Sequence, residues 1–203
     1  MQVILPEHAL PARLTLNPEL RLSDDEYFEL CSANPDLRLE RTAQGEIIIV
    51  PPAGLESDFQ CGDVFGQLRQ WAKADGRGKA FGSSVEFILP TGAALSPDAA
   101  WVSNVGLAQV SKDERRKFPH LSPEFVVEVM SPSDRLPAAN QNMQEWQRGG
   151  VELGWLIHPD KRTIHIYRSE HHEPEILSGI TQLFADGPIA GFVLDLPEIW
   201  AGL

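Results

Sequence analysis

The run Phe125-Val-Val-Glu-Val-Met130 constrains the chain more than any other. It is apolar and β-branched and closes on Ser131-Pro132-Ser133, so it reads as a strand buried on both faces of a sheet. Its one polar residue is Glu128. An unpaired carboxylate inside such a strand costs several kcal/mol, so Glu128 requires a compensating partner.

The flanking pattern alternates helical and extended segments. Ser23 and Glu26 form a capping box at the start of a short helix reaching about Ala33. Residues 37–42 and 46–50 flank Gly45 as a hairpin. Ser57 is placed to cap a longer helix. Its apolar positions Cys61, Val64, Phe65, Leu68, Trp71 and Ala72 keep helical spacing, and Gly76 or Gly78 stops it. Strands are expected at 79–82, 84–89 and 95–102, then a polar helix over 104–118. After the strand at 124–130 come a helix over 136–150 and strands at 152–158, 163–168 and near 174–178. The order predicts an α/β chain with a mixed sheet.

Residues 1–22, with three prolines, read as an arm packed on the surface. No linker or internal repeat interrupts the rest. The 203 residues, 42% of them hydrophobic, suit one domain spanning 1–203. No apolar run approaches the roughly 18 residues of a membrane span. The N-terminus lacks the basic start and long apolar stretch of a secretory signal, so none is expected. Cys31 and Cys61 are too few for a disulfide framework or a zinc site and read as buried thiols in a reducing cytoplasm. The formal net charge of -12 repels nucleic acid at long range, so any such contact must be made locally.

No Gly-rich phosphate loop, nucleophile elbow or paired-histidine zinc motif is present. His158, His165, His171 and His172 read as solvated. The basic stretch 112–118 reads as a solvated helix face. The strongest signal is a pair of acids. Asp98 follows Pro97 in the otherwise apolar run 95–102, and Glu128 lies in 124–130. Adjacent strands would bring the two carboxylates together at one edge of the sheet, where like charges raise a pKa unless a cation intervenes. Mg²⁺ prefers such oxygen-rich ligation and can polarise a phosphodiester. The competing reading pairs each acid with an arginine or uses it to cap a strand end.

Around these acids the sequence resembles the Uma2 family of restriction-endonuclease-like proteins, within the PD-(D/E)xK nuclease superfamily. The resemblance is carried by residues 39–54, 89–103, 122–134, 151–168 and 191–200. It implies a restriction-endonuclease-like αβββαβ core and a site that cleaves DNA with Mg²⁺, or Mn²⁺ in its place. It also implies that Asp98 is the aspartate of the Pro-Asp motif and Glu128 the central acid, both as metal ligands. Glu56 matches an acid that often joins such sites, with Glu40 a weaker candidate.

Two positions depart from the family. Met130 occupies the usual lysine position two residues after the acid. On the following helix, where the family carries its lysine, this chain has Asn142. Asparagine can position a water but brings no positive charge. Arg135 and Arg148 are the nearest cations in sequence, and neither is an obvious substitute. Cys61 stands where a polar residue is usual. Two functions follow: a metal-dependent DNA endonuclease, or a relative that keeps the fold and serves as a binding or regulatory module, as monomer or homodimer.

Overall fold

The computed structural model describes residues 21–203 and, for their backbone, 12–14. The elements run β1 (Ala12–Leu14), α1 (Asp24–Ser32), β2 (Arg38–Arg41), β3 (Ile47–Val50), α2 (Leu55–Asp75), β4 (Gly78–Gly82), β5 (Phe87–Ile88), β6 (Ala94–Leu95) and β7 (Ala99–Ser103). They continue with α3 (Asn104–Gln109), β8 (Phe125–Val129), α4 (Leu136–Arg148), β9 (Leu153–His158), β10 (Thr163–Arg168), β11 (Glu175–Ser178), β12 (Gln182–Phe184), β13 (Val193–Asp195) and α5 (Pro197–Ala201). Apart from β1, which pairs with β3, the arm expected over residues 1–22 lies almost wholly outside the described residues.

Two sheets carry the architecture. One has the order β1-β3-β2-β6-β5, the other β11-β10-β9-β8-β7-β4, and β12 pairs with β13 separately. The second sheet is mixed, because β8 runs parallel to β9 and antiparallel to β7. Alternation along β8 sends Phe125, Val127 and Val129 into a core with Val64, Leu68 and Ala72 of α2. Val126 faces the opposite way, into a core with Met143 and Trp146 of α4. The strand is thus covered on both sides, as its composition demands. In the first sheet Leu39, Ile47 and Ile49 pack against Tyr27 and Leu30 of α1. That leaves Arg38 and Glu40 on the other face of β2.

Several boundaries differ from the sequence reading, each for a local reason. The run 95–102 is divided: β6 belongs to one sheet, β7 to the other, and Ser96-Pro97-Asp98 crosses between them. Pro97 has no N–H to extend a ladder, which permits the break. Ser57 does not cap α2. Gly54, in extended conformation after Pro51 and Pro52, is the cap, and Ser57 is buried in the first turn. The stop at Gly76 has the left-handed conformation that favours glycine, φ 77°. The helix expected over 104–118 is α3 followed by one 3₁₀ turn at Glu114–Arg116. Reciprocal bonds between Ser111 and Glu114 begin that second turn. Only Phe87–Ile88 of the segment 84–89 is strand. His165 is buried in β10 rather than solvated, and burial lowers its pKa. Both cysteines are half-buried free thiols. Among the described residues no helix is long and apolar enough to cross a membrane.

Candidate active site

The crossing at residues 96–98 brings the two sheets to one place. Asp98 stands just before β7, and its Oδ2 accepts a hydrogen bond from Val129 N at 2.8 Å. The β7–β8 register pairs Ala100 with Val126 and Ala99 with Val127, so the next step sets Asp98 opposite Glu128. Opposed residues in an antiparallel pair have Cβ atoms about 4.5–5.5 Å apart. The acids therefore meet at the end of two inner strands and not at the edge of the sheet.

Helix α4 covers Glu128. Asn142 and Trp146 are one turn apart and share a helix face. Asn142 Nδ2 donates to Glu128 Oε1 at 3.0 Å, and Trp146 Nε1 donates to the same oxygen at 2.7 Å. Helix α2 supplies Cys61, whose thiol hydrogen-bonds Asp98. Burial and the neighbouring carboxylates push that thiol up, so it stays protonated as a donor.

The other sheet contributes from β2. Glu40 Oε1 accepts from Ser96 N at 3.4 Å. Arg38, two residues earlier on the same face, donates from Nη2 to Ser96 O at 2.8 Å and lies 3.7 Å from Glu40 Oε1.

The electrostatics follow from three acids sharing one cation. Burial raises Glu128 well above the usual carboxylate range, and the charges of Asp98 and Glu40 add to it. The Trp146 N–H and Arg38 oppose this shift. Burial also raises Asp98, against the Val129 N–H, Arg38 and the Cys61 thiol. Glu40 is pushed up to about 6, chiefly by burial. Such a set is short of positive charge.

The donor chemistry fits a hard divalent ion. Both described bonds to Glu128 go to Oε1, which leaves Oε2 for another partner. Among the described residues, no group of three or more His, Cys, Asp or Glu side chains is arranged to hold a metal. Two carboxylates with water and phosphate completing the shell is the usual provision for Mg²⁺.

Of the residues singled out from sequence, Asp98, Glu128 and Asn142 lie together, with Glu40 beside them. Glu56 does not join them. It is exposed in the first turn of α2, against Gly202. Met130 is buried in the core on the α4 side. Arg135 is exposed ahead of α4, and Arg148 pairs with Glu145 at 2.6 Å. Sequence reasoning missed Arg38 and Trp146. The alternation Arg38-Leu39-Glu40 in a strand was the available signal for the first. The i,i+4 spacing from Asn142 was the signal for the second.

A mixed α/β fold of this kind has a solved counterpart. A crystal structure from Anabaena variabilis, described as "a putative nuclease belonging to DUF820", resembles this chain with a TM-score of 0.72 at 18% identity. The match covers 89% of this chain and 98% of that one, and at such identity it speaks to the fold. Residues 24–196 match the Uma2 family, described as "Putative restriction endonuclease", and the chain belongs to that family. No curated protein matches it.

Proposed function

We propose that the protein is a divalent-metal-dependent endonuclease that hydrolyses phosphodiester bonds in DNA on a restriction-endonuclease-like core. The observation that carries this reading is the convergence of Asp98, Glu128 and Glu40 at the junction of the two sheets, with too little positive charge to balance them. Asp98 and Glu128 would hold Mg²⁺ or Mn²⁺. When bound there, the ion supplies Lewis acidity and lowers the pKa of water.

The chain's own groups orient and hold. Asn142 and Trp146 fix the Glu128 carboxylate through Oε1. The Val129 N–H and the Cys61 thiol fix Asp98. In the reaction a water oxygen bonds to phosphorus and one phosphorus–oxygen ester bond breaks. The water's proton ends on the departing alkoxide, giving a phosphomonoester and an alcohol.

Asn142 can orient water but supplies no charge to the phosphorane. Loss of one preorganised electrostatic donor costs roughly 10²–10³ in rate. Wild-type nicking of plasmid DNA with Mg²⁺ or Mn²⁺ should therefore be slow. Asn142→Lys should raise it by up to that factor, and Asn142→Lys with Glu128→Ala should be inert. Fast wild-type cleavage would overturn this account of Asn142.

The neutral amide on Glu128 also favours a second reading, a binding or regulatory module that retains the fold. Metal binding without cleavage, in both the wild type and Asn142→Lys, would select it.

A further inference from the structure

The site has a cation that does not come from α4. We propose that Arg38 supplies, from the opposite sheet, part of the positive charge at the scissile phosphate that Asn142 lacks. This rests on the nuclease reading above.

The placement is geometric. Arg38 and Glu40 are two residues apart on β2, so both side chains leave the strand on the face away from α1. Nη2 is anchored on the carbonyl of Ser96, two residues before Asp98, at 2.8 Å. The contact to Glu40 is long, 3.7 Å, and leaves the guanidinium without a close carboxylate partner. Nε is buried and has no hydrogen-bond partner among the described residues. An arginine with donors to spare beside a group of acids matches the planar, multi-donor chemistry that recognises phosphate oxygens. Its charge already acts on Asp98, Glu128 and Glu40 alike, which places it within electrostatic reach of the whole cluster. The other candidate cations are elsewhere, since Arg148 is paired on the surface and Arg135 is exposed ahead of α4.

Four proteins decide the matter: wild type, Arg38→Gln, Arg38→Lys, and Arg38→Gln with Asn142→Lys. Each is assayed for single-turnover plasmid cleavage with Mn²⁺ and, by calorimetry, for Mn²⁺ affinity without DNA. Arg38→Gln should lose about 10²-fold in cleavage while binding Mn²⁺ as tightly as wild type or several-fold tighter, because a competing cation has gone. Arg38→Lys should keep most of the rate. The lysine at 142 should restore cleavage to Arg38→Gln.

Arg38→Gln cleaving at the wild-type rate would overturn the proposal and leave the nuclease reading intact. So would loss of Mn²⁺ binding in that variant, which would make Arg38 a support for the acids. Loss of cleavage in Arg38→Gln that lysine at 142 fails to restore would overturn it equally. A wild-type protein that binds Mn²⁺ and cleaves nothing, with Asn142→Lys equally inert, would remove both the proposal and the nuclease reading.

Discussion

Strand β2 borders two clusters of buried polar groups, one on each face, and they solve the same problem differently. On the α1 side Arg41 is buried, pairs with Asp24 and lies over the Tyr27 ring at 4.8 Å. Nearby, Tyr27 donates its hydroxyl to Glu86 Oε1 at 2.6 Å. Glu86 is only 6% exposed and burial pushes it up to about 8, so near neutrality it is held largely as the neutral acid. Beside it, burial and the Glu86 charge raise Cys31 to about 11. On the other face Asp98, Glu128 and Glu40 are half-buried; burial is the first cause raising each, with the charges of Asp98 and Glu40 adding to it at Glu128 and that of Asp98 at Glu40. A lone buried acid is satisfied by a proton and a hydroxyl. Acids that face one another at a partly open junction are better satisfied by a cation. Burial raises the acids of both clusters; what sets the second apart is that its carboxylates meet at a partly open junction, and that arrangement points to a ligand.

The largest expected contrast is in cleavage. Glu128→Gln should abolish plasmid nicking, by on the order of 10³-fold, whereas Glu86→Gln should leave it within about threefold. Equal losses in the two variants would erase the distinction between the clusters.

Next is the pH dependence of stability without metal. An acid whose pKa is raised in the folded state binds more protons there than when unfolded, so stability falls as pH climbs from its unfolded value through its folded one. For Glu86 that window runs from about 4.5 to about 8. Glu86→Gln should therefore stabilise the chain at pH 9, by on the order of 2–4 kcal/mol, and change little at pH 5. Chemical denaturation at the two pH values reads this directly.

A smaller effect separates the clusters by metal. Mn²⁺ at a hundredfold over its dissociation constant should stabilise the wild type by about 2–3 kcal/mol. That gain should fade as pH falls through about 6 and Glu40 and its neighbours take up protons. Asp98→Asn should lose the gain and Glu86→Gln should keep it. Thermal melts with and without chelator would show both.

The smallest effect is Tyr27→Phe. It removes one hydrogen bond to Glu86 and should cost about 1–2 kcal/mol, with cleavage unchanged.

What the sequence revealed and what it hid divide along a physical line. The helix at 136–148, the strand at 125–129 and the hairpin at residues 38–50 follow from local periodicity and turn chemistry, and the fold preserves them. Asp98 and Glu128 stood out because each interrupts an apolar run. The Asn142 placement came from family likeness, and α4 does carry it to Glu128. Glu56 matched on likeness alone, but it sits in the first exposed turn of α2, away from the acids. The crossing at Ser96-Pro97-Asp98 was hidden because a strand that changes sheets keeps its apolar pattern on both sides of the break. Arg38 was legible only in part: the Arg38-Leu39-Glu40 alternation put it on the face of Glu40, but its place beside Asp98 depends on the two sheets meeting.

The crossing has a mechanical consequence. Asp98 and Glu128 move with the six-stranded sheet, while Glu40 and Arg38 move with the five-stranded one. Three residues of backbone, the bonds to Ser96 and the packing of Phe87 and Leu95 against Ala100, Val102 and Val126 tie the two halves together at this point. Any ligand gripped from both sides would act as a rivet across that joint. Its departure would loosen the joint locally while the shared core holds, so hydrogen exchange at residues 94–100 would track occupancy even though none of those amides touches the ligand.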